Sequence, residues 1–165
     1  MSDAGAFERL RQLCEVVEAE IRHLALTDRG LFGRRFTPER AMALSGNNAE
    51  AERVDAFAAR FGRLQDTTGD KLLPALLRLA GQSPGPAIDN LNLAEKWGWI
   101  GSVQDWLGMR ALRNKMVHEY IKDPAVLSDA LNAAHDQVPA LVDSAQRLVQ
   151  ETGRRLAAAA AGGAI

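Results

Sequence analysis

The chain has 165 residues, enough for one compact domain with a core of fair size. With 20 Lys+Arg against 21 Asp+Glu, its net charge of −1 excludes a protein whose main task is to coat nucleic acid by charge, while a local grip on one or two phosphates stays open. Aromatics at 5% leave little for a base-stacking platform, and no apolar run is long enough to span a membrane.

The first stretch, MSDAGAFERLRQL, lacks the basic start and apolar block of a signal peptide, and Cys14 stands alone, so no intrachain disulfide is expected. Both features point to a cytoplasmic protein. Apolar residues at Phe7, Leu10, Leu13, Val17, Ile21 and Leu24 recur in steps of three and four, which predicts an amphipathic helix over 3–28, ended near Gly30. Thr37 before Pro38 predicts a capped short helix over 38–45, closed by Ser45–Gly46. The same spacing returns over 48–80, and Gly69 and Pro74 predict a kink or break near 69–74, because proline removes a ladder bond and crowds the carbonyl four residues back. GQSPGP (81–86) is a turn. Further helices are expected over 87–97, over 103–122 with Ser102 as cap, and from Asp123–Pro124 to about Leu156. No strand pattern competes, so the expectation is an all-α bundle of four or five main helices, one domain over 1–156 with a flexible tail over 157–165.

The helix over 103–122 holds the chemistry. On a wheel of about 100° per residue, Val103, Trp106, Leu107, Met109, Leu112, Met116, Val117 and Ile121 fill a broad apolar arc. Gln104, Lys115, Glu119 and Lys122 mark a narrow solvated one. Arg113, Asn114, His118 and Tyr120 (the chain's only tyrosine) all avoid the solvated arc. A buried arginine needs a partner or an anion. Two readings follow. Arg113 pairs with a carboxylate, Asp66 or Asp70, and His118 is a core histidine; or this face borders a cleft or subunit interface that meets a phosphate. Arg113 and His118 stand about 140° apart on the helix, so a second copy across a two-fold axis would be needed to gather both pairs in one groove.

The string LRNKMVHEY resembles the signature of the HEPN-domain family, an arginine followed after a short spacing by a histidine, with a polar residue after the arginine. Arg113, Asn114 and His118 match that pattern, and Tyr120 completes a longer form similar to the HepT-type toxin branch. The segments RFGRLQDTTGDKLLPAL (60–76) and DNLNLAEKWGWIGSVQDWLGMRALRNKMVHEY (89–120) also look like that branch, so the resemblance covers most of the bundle. It implies a HEPN-like helical domain that dimerises with the motifs facing a shared cleft, and a metal-independent endoribonuclease that needs no cofactor. It also implies a cognate MntA-type nucleotidyltransferase antitoxin that transfers AMP to the motif tyrosine.

The residue types suit that chemistry. RNA carries its own nucleophile in the 2′-OH. His118 is suited to general acid–base work, Arg113 to holding the scissile phosphate, and Asn114 to orienting His118 or a phosphate oxygen. AMP on Tyr120 would bring charge and bulk into the Arg113 side of the cleft. Gln65 and Asp66 are expected to help fix Arg113. Cys14 reads as core, and His23 and His135 as surface or half-buried histidines without metal spacing. Trp97, Trp99 and Trp106 read as core or dimer contacts, with base stacking as the alternative. Arg29, Arg34 and Arg35 read as a solvated loop or, alternatively, a contact to RNA phosphate or antitoxin. Two further readings share the fold: a non-catalytic subunit presenting substrate or nucleotide to a nucleotidyltransferase, and a purely structural dimerisation domain with Arg113 paired internally.

Overall fold

The computed structural model describes residues 3–118 and 122–162; the side chain of His118 is outside that description. Helix α1 spans Asp3–Leu31, α2 Pro38–Met42, α3 Asn48–Asp66, α4 Leu73–Leu79, α5 Ala87–Lys96, α6 Val103–His118 and α7 Pro124–Gly162. A 3₁₀ turn (Ala43–Gly46) follows α2, and a π turn (Thr67–Leu72) joins α3 to α4. No strand occurs among the described residues, and none of their helices is long and apolar enough to cross a membrane.

The caps follow from side-chain chemistry. Thr37 accepts the Arg40 N–H ahead of Pro38, Ser102 accepts the Asp105 N–H at 3.1 Å, and Asp123 accepts the Ala125 N–H at 2.9 Å. Four boundaries differ from the expected ones. Helix α1 runs through Gly30, because Leu31 is buried and draws the last turn onto the core. The expected 38–45 helix tightens into the 3₁₀ turn after Met42. The break near 69–74 is instead a wide turn within a continuous right-handed path, in which the Leu73 N–H reaches the Thr68 carbonyl. That shift in the ladder lets Pro74, which has no N–H, enter at the first turn of α4. Finally, α7 extends past Leu156 to Gly162, since the alanine run is a strong helix former even where most of it is exposed.

The core lies where α1, α3, α6 and α7 meet. Val17, Leu24, Phe57, Phe61, Leu64, Leu131, Leu141 and Leu148 are inaccessible, and Trp106 of α6 is buried beside the π turn. A Cβ on Gly69 would lie 3.0 Å from Trp106 Cζ2, so the glycine there admits the indole. Helix α6 packs on α3 and α7 and thereby sets Arg113 over the end of α3.

Candidate functional site

Arg113 lies across α3. Its Nη1 donates to both carboxylate oxygens of Asp66, each at 2.6 Å. The guanidinium crosses so close to the helix that a Cβ on Gly62 would stand 2.5 Å from Arg113 Nε and 2.8 Å from Cδ. One turn earlier on α6, Arg110 Nη2 meets Asp70 at 3.3 Å, so two arginines of α6 face two carboxylates spaced by one turn at the α3–π junction. Wide π turns recur at functional sites because they displace side chains from the regular ladder, and here one begins directly after Asp66.

The pair is not deeply buried: the Arg113 and Asp66 side chains are 35% and 40% exposed. Arg40 shows what a wholly structural arginine looks like in this chain. It is 10% exposed, its Nε and Nη2 go to Glu50, its Nη1 and Nη2 reach the carbonyls of Arg34 and Leu31, and its carbon centre sits 3.9 Å from the Phe36 ring centroid. Arg113 by contrast uses only Nη1 among the described residues. Nε and Nη2 remain for another acceptor, and a phosphate is the acceptor a guanidinium fork fits best.

The remaining expected site residues are placed as follows. Gln65 is fully buried and makes no hydrogen bond to Arg113; its Nε2 donates to the Trp106 carbonyl at 2.9 Å, tying α3 to α6. Asn114 is exposed, which corrects the expectation that it avoids the wet face. His118 ends the described part of α6, one helical turn past Asn114, and Tyr120 lies outside the described residues. The broad apolar arc of α6 also divides. Val103, Trp106, Met109 and Met116 enter the core, whereas Leu107 and Val117 are 38% and 57% exposed. A wheel separates apolar from polar positions but does not say which neighbour covers them, and among the described residues of the arc this core leaves Leu107 and Val117 uncovered while Leu112 packs against it.

Elsewhere, Cys14 is buried, and that burial pushes its thiol up from the ordinary value. His23 is exposed; His135 Nδ1 lies 2.7 Å from Asp28, its ring stacked on Phe32. Arg35 is held by both oxygens of Asp136, while Arg29 and Arg34 are exposed. No three His, Cys, Asp or Glu side chains gather as a metal set among the described residues. Two features escaped sequence reasoning. One is Gly62, which nothing in the sequence separates from Gly108 or Gly153, helical glycines at which a Cβ would meet nothing within 4 Å. The other is an arginine-lined cavity beside Trp97, formed by residues too far apart in the chain for spacing to connect.

The fold and site together define an all-helical protein with a half-open arginine–carboxylate pair on one face of its penultimate helix. Comparisons with family models, with characterised proteins and with solved structures found no match to this chain.

Proposed function

We propose that the chain is a HepT-like HEPN ribonuclease toxin, a metal-independent endoribonuclease acting as a homodimer and silenced by AMP transfer to Tyr120 from a cognate nucleotidyltransferase. The observation that carries this reading is the incomplete pairing of Arg113, half-exposed, with Nη1 on Asp66 and with Nε and Nη2 meeting no described acceptor. A purely structural domain would also pair Arg113 internally, but it has no need to leave the fork part-open; Arg40 is the closed alternative in the same molecule.

Arg113 then grips the scissile phosphate and balances the charge that grows on it as the 2′-OH attacks. Preformed donors in a sheltered groove are effective because they need no reorganisation as that charge develops. His118 takes the 2′-OH proton or supplies one to the leaving 5′ oxygen, since its ordinary pKa lies near neutrality. Asn114, exposed on the same stretch of helix, is free to hold a phosphate oxygen or orient His118. The exposed Leu107 and Val117 on α6 are the surface on which a second copy closes the groove. AMP on Tyr120 places a phosphate and a base where the substrate phosphate must enter.

The test is RNA degradation by purified protein beside Arg113→Ala and His118→Ala, with equal activity in all three ruling the assignment out. Tyr120→Phe is expected to retain cleavage and to refuse AMP from the partner enzyme; modification persisting in that variant would refute the tyrosine's role. A subunit that only presents substrate would bind RNA without cleaving it in the same assay.

A further inference from the structure

A second cluster suited to phosphate lies away from Arg113. An open cavity of about 650 Å³ is bounded by Trp97, Gly98 and Trp99 of the α5–α6 connector and by Arg147, Glu151, Arg154 and Arg155 of α7. Gly98 has φ +74°, the left-handed conformation that a side chain would strain, and this turn sets the two indoles edge to face with centroids 4.8 Å apart. Trp99 is buried and forms the floor, under the Arg155 guanidinium at 5.7 Å. Trp97 is 37% exposed, so a tryptophan ring is presented to solvent in a chain poor in aromatics.

The arginines are arranged rather than scattered. Glu151 accepts Arg154 Nε at 3.0 Å and Nη2 at 2.6 Å, and Arg155 Nε at 2.6 Å. The bond from Arg154, and then that from Arg155, hold the Glu151 carboxyl below its ordinary range, so it stays charged and keeps the two guanidiniums side by side. Arg147 reaches back to the Gly98 carbonyl at 3.4 Å and pairs with Asp143 at 2.9 Å. Three guanidiniums therefore border the cavity against two carboxylates, Glu151 in its lining and Asp143 beside Arg147. Arg154 Nη1 and both terminal nitrogens of Arg155 have no acceptor among the described residues.

We propose that this cavity binds a nucleotide, with the base stacked on Trp97 and the phosphate held by the arginines of α7. An aromatic face beside arginine forks is the combination single-stranded nucleic acid uses, the ring taking the base and the forks the backbone. The nucleotide has two possible sources, a unit of an RNA strand or a free mononucleotide. This site does not depend on the ribonuclease reading, because it uses neither Arg113 nor His118.

The experiment measures binding of labelled AMP and of a labelled 2′-O-methyl oligoadenylate, which lacks the nucleophile for cleavage, by fluorescence anisotropy with the full chain. Wild type is expected to bind saturably, Trp97→Ala to weaken binding by roughly five- to 100-fold, and Trp97→Phe to recover most of it. Arg147→Gln combined with Arg154→Gln is expected to weaken binding and flatten its salt dependence. Arg53→Gln, at an exposed arginine of α3 in neither cluster, is expected to bind as wild type does. Oligomer binding well above AMP that Trp97→Ala lowers assigns the site to an RNA strand, and equal binding assigns it to a mononucleotide. No saturable binding of either, affinity indifferent to Trp97→Ala in a variant with wild-type circular dichroism, or full competition by inorganic phosphate at equal concentration would overturn the proposal.

Discussion

Arg113 depends on the absence of a side chain at Gly62. The guanidinium stem occupies the place where any Cβ would stand, 2.5 Å from Nε. Gly62→Ala therefore sets a methyl group against the arginine. The guanidinium must swing off α3 and lose its Asp66 contact, a loss of about 0–1 kcal/mol for so exposed a pair. That loss offsets the ~0.5–1 kcal/mol that alanine adds to a helix interior, so the variant is expected to keep its stability while losing the ion pair. A thermal melt checks this: a Tm lowered by many degrees would mean that Arg113 is wedged against α3 and cannot swing away. The ion pair itself adds little stability, about 0–1 kcal/mol for so exposed a pair, so Arg113→Ala is expected to fold normally. A loss of activity in that variant then reports chemistry and not unfolding.

At the scale of elements, the π turn over Thr67–Leu72 is the part of the fold that composition does not dictate. Gly69 and Pro74 announced an interruption, and a kink was the natural expectation. What decided the outcome is the Trp106 indole, which fills the space a Cβ on Gly69 would need, together with Gln65, whose amide reaches the Trp106 carbonyl. Both contacts come from residues some forty positions away, so local pattern could not reveal them. Gly69→Val is expected to force the indole out of its seat, lowering stability by about 1–3 kcal/mol and changing the tryptophan emission. Unchanged emission and melting would show that the wide turn does not depend on that contact. Three caps, in contrast, were legible, because Thr37, Ser102 and Asp123 each act on N–H groups within three residues; the Asn47 cap of α3 was not singled out.

For the whole molecule, the all-helical character, most element positions and the core stripe of α1 were legible because helical periodicity is a local property. The face of α6 was legible only in part. Its apolar arc was visible, but the division between core and surface depends on where α3 and α7 lie, which leaves Leu107 and Val117 uncovered. Under the proposed function that uncovered strip is where two copies meet. Val117→Asp is expected to give a folded monomer in analytical ultracentrifugation and to abolish RNA cleavage together with the dimer, by placing a charge in an apolar contact. A variant that still sediments as a dimer would move the interface elsewhere on the surface.

The most direct measurement is cleavage of a defined RNA and its 2′-O-methyl counterpart in the presence of a metal chelator, by wild type, Arg113→Ala and His118→Ala. Wild type is expected to cut the RNA and leave the 2′-O-methyl strand intact, and either variant to lose about a hundredfold or more of the rate. Cleavage of the 2′-O-methyl strand, undiminished rates in both variants, or no cleavage of any RNA by wild type would contradict the ribonuclease assignment.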